Sequence, residues 1–173
     1  HCLSAPTRGV LLYEVHTRLL PHGGKSLLVA SLPAFVAYQR ERAWTWEQQA
    51  LVRARAVAGD AALGSAFARE RGEVLGRSRE RAQVIADVCR MREEWRKQRD
   101  RSDGGSLDLK QGAGALLDIQ FLLQGLVLLH AHVQPSLVAY ADTPGLLAAC
   151  AQAGVLIAED ADALATAHAE LLA

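Results

Sequence analysis

The chain is 173 residues long, half of them hydrophobic, and its 19 basic and 19 acidic side chains cancel. That much apolar surface offsets chain entropy and excludes disorder as the default state, and the length suits one domain or a small domain with an appendage. Zero net charge with only 5% aromatic residues excludes a general nucleic-acid binder, which needs basic charge and stacking rings.

Residues 10–18, Val-Leu-Leu-Tyr-Glu-Val-His-Thr-Arg, read as a strand stopped by Pro21 and Gly23-Gly24. A second short extended stretch is expected over 27–30. Ser31 then suits an N-cap and Pro33 a first turn, opening a helix from 34 to 58 that ends at Gly59. Asp60 caps a helix over 61–75, stopped at Gly76. From 79 to 101 the pattern is amphipathic, with Val84, Val88, Met91 and Trp95 on one face. After a loop at 102–105, the alternation in Leu107-Asp-Leu-Lys predicts extended chain. Gln111-Gly-Ala-Gly approaches an apolar helix over 115–132. Its greasy run carries Asp118, Gln120 and Gln124 and is too short and too polar to span a bilayer, so it reads as a buried core helix and no membrane partner is expected. Pro135 breaks the chain, Asp142-Thr143-Pro144 starts another helix, Gly154 stops it, and a last helix runs over 159–172. The expected fold is mainly α: a strand-bearing region, 1–32, followed by a helical bundle, 33–173. A lone strand needs ladder partners, so 10–18 pairs with 27–30 or 107–110, or with a sheet lying before residue 1.

Charge is unevenly spread. Residues 1–105 hold 18 basic and 12 acidic side chains, whereas 106–173 hold Lys110 alone against seven acids. The two regions can attract each other, or the basic excess can meet an anion such as a nucleotide; the plainer alternative is a solvated surface. Cys2, Cys89 and Cys150 are far apart and odd in number, which supports neither a disulfide framework nor a zinc site. The chain opens His-Cys-Leu-Ser, without a signal-peptide pattern, and reads as cut from a longer cytoplasmic protein.

Three features resemble sites and fail on context. Gly24-Lys25-Ser26 lacks the P-loop glycine five residues upstream, where Leu19 stands, and Pro33 interrupts the helix that should follow. His130 and His132, two apart on a helix, point to different sides and cannot share an ion. Trp44 and Trp46 read as core residues.

More specific are Tyr13-Glu-Val-His-Thr-Arg-Leu-Leu-Pro, Leu28-Val-Ala-Ser-Leu-Pro-Ala-Phe, Tyr38-Gln-Arg, and Ala43-Trp-Thr-Trp-Glu-Gln-Gln-Ala-Leu-Val-Arg-Ala-Arg, closing at Gly59-Asp60. Further on come Asp108-Leu-Lys, Gly114, Asp118-Ile-Gln-Phe-Leu-Leu-Gln, Asp142-Thr143, Leu146 and Gly154. These strings resemble the bacterial adenylyltransferase/deadenylylase that modifies glutamine synthetase, and its adenylylating C-terminal half more than its N-terminal half. The resemblance implies a nucleotidyltransferase sheet followed by a helical bundle. It also implies ATP and Mg²⁺ as cofactors and a place in bacterial nitrogen control. The implied partners are glutamine synthetase, a PII-type signal protein and the remainder of the same chain.

In that family a Gly-Ser-Asp-x-Asp type motif supplies two metal carboxylates, which is absent here, and a third comes from an Asp whose position is His16. Transfer of AMP to a tyrosine hydroxyl uses two Mg²⁺ ions to stabilise the attacking and leaving oxygens. Mg²⁺ prefers oxygen ligands, so an imidazole is a poor substitute. Glu14 shares a strand face with His16 and is the remaining metal candidate. The family's Arg-Leu-Arg-Pro is here Arg18-Leu19-Leu20-Pro21, its Gly-Gly pair is Gly114-Ala115, and its Asp-Ile-Glu is Asp118-Ile119-Gln120. Arg18, Lys110 and Asp118 match and are the nucleotide-binding candidates, with surface charge or ion pairing as the alternative. Arg53 and Arg55 also match, and are expected to pair with Glu47 on a helix.

Two readings follow. In one, the chain is part of an adenylyltransferase head and is inactive alone, because its metal carboxylates are missing or replaced. In the other, the bundle is a non-catalytic module docking glutamine synthetase or a PII-type protein. Activity regained by His16→Asp in a full-length context would favour the first.

Overall fold

The computed structural model describes residues 30–173, so the strand expected at 10–18 and residues 27–29 of the second extended stretch lie outside the described residues. Among the described residues all regular structure is helical. The chain separates into two compact units, residues 1–42 and 43–173.

In the first unit, α1 (Leu32–Glu41) starts where the sequence suggests: Ser31 is the N-cap, its hydroxyl accepting from Ala34 N–H at 3.4 Å, with Pro33 in the first turn. The single helix expected over 34–58 does not form. The chain leaves α1 at Arg42 and passes through an extended Trp44 (φ −73°, ψ 159°) before starting α2 (Thr45–Leu51). The Glu47 carboxylate accepts from Trp44 N–H at 2.9 Å and so marks a new helix start inside an unbroken helix-forming run. Trp44 is 67% exposed and is not a core residue.

In the second unit, α2 is followed by a loop and then α3 (Ala61–Leu75), capped by Asp60 onto Leu63 N–H at 2.8 Å and ended at Gly76. Next come α4 (Arg81–Arg99), capped by Glu80, α5 (Leu116–His130), a 3₁₀ turn at Pro135–Ala139, α6 (Thr143–Gln152) and α7 (Ala158–Glu170). Asp142 caps α6 through Gly145 N–H at 2.8 Å, and Gly154, at φ +66°, takes the left-handed conformation that closes it.

The centre of this unit is α5. It lies against α2, α4, α6, α7 and the 3₁₀ turn, and its Leu117, Ile119, Phe121, Leu123, Val127 and Leu128 are buried. Each such side chain contributes about 1.5–3 kcal/mol of burial free energy, which explains how a helix carrying Asp118 in its first turn is still fixed at the core. Polar links set the neighbours' places. Gln49 donates to Gln124 at 2.8 Å inside the α2–α5 contact, and Thr45 donates to Asp87 of α4 at 2.6 Å. No described helix is long and apolar enough to cross a membrane.

Residues 107–110 are not extended. Asp108 accepts from Lys110 N–H at 3.0 Å and Gln111 N–H at 2.8 Å, which folds the segment into a turn and leaves Leu107 and Leu109 exposed. His130 ends α5 while His132 lies in the turn beyond it, so the two do not share a helix.

Candidate functional site

The matched residues from Asp108 to Asp118 converge on the entrance to α5, and local chemistry builds that entrance. Asp103 folds the loop before it by accepting from Gly105 N–H at 2.9 Å and Ser106 N–H at 2.8 Å. Asp108 makes the next turn, and its carboxyl is held below the usual range by the Gln111 and Lys110 N–H groups. A Cβ on Gly112 would sit 2.7 Å from Asp108 O, so the turn closes only around glycine. Gly114 follows at φ +74°, a conformation that disfavours any side chain.

Asp118, in the first turn of α5, fastens this loop to α4. It accepts from Arg92 Nε at 2.5 Å, from Arg96 Nη2 at 3.1 Å and from Gly114 N–H at 2.6 Å. Burial works to raise its pKa, but the Gly114 N–H and the two guanidinium groups prevail and hold the carboxyl below its ordinary range. Arg92 is the other half of the fastening. Its side chain is only 7% exposed, and its Nη2 donates at 2.8 Å to both Gln111 O and Gly112 O. One guanidinium thus ties a carboxylate and two loop carbonyls together, the forked geometry that suits arginine and not lysine.

Of the sequence candidates, Lys110 and Asp118 are brought to the same place: Leu117 N–H of α5 donates to Lys110 O at 3.2 Å. Lys110 is exposed there. Asp118 is engaged by the two arginines. Arg53 and Arg55 do not lie on a helix beside Glu47. They fall in the exposed loop after α2, where Arg53 lines a small recess with Gln120, Gln124 and Thr143. His16, Glu14 and Arg18 lie outside the described residues. No group of three potential metal ligands occurs among the described residues, and the carboxylate of Asp118 is already held by two guanidinium groups and an N–H.

Arg92 and Arg96 were not legible as partners of Asp118 in the sequence, yet a signal existed. Positions 84, 88 and 92 share one face at helical spacing, so Arg92 continues the inward stripe begun by Val84 and Val88. Elsewhere, Arg71 of α3 is buried and donates from Nε to Leu51 O at 2.7 Å, and from its two terminal nitrogens to Val52 O, Val138 O and Tyr140 O. Arg79 donates to Val74 O at 2.7 Å, Leu75 O at 3.0 Å and Gln48 Oε1 at 2.9 Å; burial, then repulsion from Arg77, lowers its pKa to about 10.

Comparison with known proteins accounts for the pattern. A family model described as glutamate-ammonia ligase adenylyltransferase matches residues 1–70, and one described as GlnD PII-uridylyltransferase matches 86–173. A bifunctional glutamine synthetase adenylyltransferase/adenylyl-removing enzyme of Xanthomonas axonopodis pv. citri is 54% identical over 98% of this chain and 18% of its own length. Enzymes of the same description from Stenotrophomonas maltophilia (strain K279a) and Nitrosococcus oceani are 51% and 50% identical over 98% and 97% of the chain, covering 18% and 17% of their lengths. The chain thus spans less than a fifth of these relatives, and with identity of this level across almost all of its residues it belongs to the glutamine synthetase adenylyltransferase/adenylyl-removing family.

Proposed function

We propose that these residues form part of the adenylylating head of such an enzyme, in the cytoplasm, with 1–32 contributing to its nucleotidyltransferase domain and 33–173 forming the attached bundle. The observation that carries this reading is the 54% identity over 98% of the chain to a bifunctional adenylyltransferase. In the reaction, a tyrosine oxygen of glutamine synthetase bonds to the α-phosphorus of ATP, the bond to the β-phosphate oxygen breaks, and pyrophosphate leaves while the phenol gives up its proton. The family's Mg²⁺ is assigned to no described residue; His16 and Glu14 are the positions at issue.

Within the described residues the part we assign to this chemistry is positional. Lys110 offers an exposed ammonium to nucleotide phosphate, and Asp118 acts through the fastening that fixes the loop on which Lys110 stands. The 173 residues by themselves do not transfer AMP, since no Gly-Ser-Asp-x-Asp motif is among them and His16 replaces the third carboxylate. In a full-length family enzyme that carries this segment, Lys110→Ala should raise KM for ATP by about tenfold, the scale of one charge-assisted phosphate contact, while leaving the urea midpoint unchanged. An unaltered KM would remove Lys110 from the nucleotide site.

A further inference from the structure

The spacing of Asp108-Leu109-Lys110 has a physical reason in the turn that it makes. An aspartate side chain folds its own backbone by accepting from the N–H two residues on. Asp108 Oδ1 does so at Lys110 N–H, 3.0 Å away, and again at Gln111 N–H, 2.8 Å away. A separation of two thus lets the carboxylate grip the backbone of the lysine itself.

The remaining polar groups of Asp108 serve the same loop. Its N–H donates to Ser102 Oγ at 2.9 Å, its carbonyl accepts from Gly112 N–H at 2.9 Å, and Oδ2 accepts from Arg101 N–H at 3.4 Å. Ser102 N–H in turn donates at 2.8 Å to the carboxylate of Asp100, the C-cap of α4. An unbroken run of bonds therefore leads from the end of α4, through Ser102 and Asp108, to the N–H of Lys110. On the other side, Lys110 O accepts from Leu117 N–H at 3.2 Å and Leu109 O from Leu116 N–H at 3.1 Å. Ala115, the N-cap of α5, makes no side-chain cap bond, so these loop carbonyls take up the free donors of the first turn.

Lys110 is thus held by both of its backbone polar groups, while its side chain is exposed and in no ion pair among the described residues. A fixed backbone beneath a free ammonium lowers the ordering cost of binding an anion. We propose that Asp108 is a positioning residue for Lys110: it sets the backbone of the lysine so that the ammonium stands ready for a nucleotide phosphate. This role rests on Lys110 binding that phosphate, as proposed above.

The test is a double-mutant cycle read as KM for ATP in a full-length family enzyme that carries this segment. Asp108→Ala should raise KM about fivefold, the scale of ordering one long side chain. Asp108→Asn, whose amide oxygen still accepts from Lys110 N–H, should recover most of that loss. With Lys110→Ala already in place, Asp108→Ala should add less than about twofold. A residue that merely stabilises the loop would raise KM by the same factor on either background, and that result overturns the proposal. So does an unaltered KM in Asp108→Ala, or an Asp108→Asn enzyme as impaired as Asp108→Ala. If Lys110→Ala itself leaves KM unaltered, the nucleotide reading of Lys110 falls and the positioning role with it, whereas failure of the Asp108 variants alone leaves that reading standing.

Discussion

Two buried arginines hold the bundle together, and they do so differently. Arg71 sits among neutral acceptors and gathers four backbone carbonyls from the end of α2 and from the segment around the 3₁₀ turn. Arg92 holds two carbonyls as well, but its Nε is matched by an ionised carboxylate, Asp118, which Arg96 shares. At Arg71 the charge is spread over dipoles that do not titrate. At Arg92 the fastening depends on a group that does. The difference teaches that a charged residue matched to a family motif can serve the fold first, since Asp118 secures the loop bearing Lys110 before it can serve any ligand.

The largest effect is expected at Arg71. Arg71→Ala removes four hydrogen bonds to buried or part-buried carbonyls, of which Leu51 O keeps the Ala54 N–H, which should cost about 3 kcal/mol or more and show as a lower urea midpoint. Asp118→Asn should cost about 2 kcal/mol, less than a fully buried pair because the carboxylate is partly solvated, and it should release the 108–115 loop to faster amide exchange.

Acid sharpens the contrast. The folded pKa of Asp118 lies below its ordinary value, so its contribution is complete above the unfolded pKa of about 3.9 and is lost as pH falls through the lower folded value. The stability gap between the wild-type chain and Asp118→Asn should therefore close below about pH 4, whereas the gap to Arg71→Ala should persist. A smaller cost, about 1 kcal/mol, is expected for Gly114→Ala, which forces a side chain into the left-handed region without meeting any neighbour. Thermal melts of the pair would register it.

Much of the fold could be read from local signals. Asp60 with Gly76, and Asp142-Thr143-Pro144 with Gly154, bracket α3 and α6 as expected because caps and stops act within one turn of chain. The apolar run of α5 announced its burial in the same way. Two features escaped. The break at 42–44 contains neither glycine nor proline, and its only mark is Glu47 three residues beyond Trp44. The turn at Asp108 was disguised as strand alternation, because a side-chain carboxylate bonding its own backbone leaves no trace in hydrophobic periodicity.

The candidate site was half legible. Resemblance selected Lys110 and Asp118, which the fold does bring to the start of α5. It could not supply their roles. Arg92 and Arg96 come from a helix more than 20 residues away in sequence, and only packing reveals that their charge is spent on Asp118.

The central claim is that these residues belong to an AMP-transferring head yet cannot perform the transfer alone. It is tested most directly by incubating the 173-residue chain with ATP labelled on the α-phosphate, Mg²⁺ and glutamine synthetase, beside a full-length family enzyme. The account predicts label on glutamine synthetase tyrosine only with the full-length enzyme; AMP-tyrosine formed by the short chain itself would contradict it.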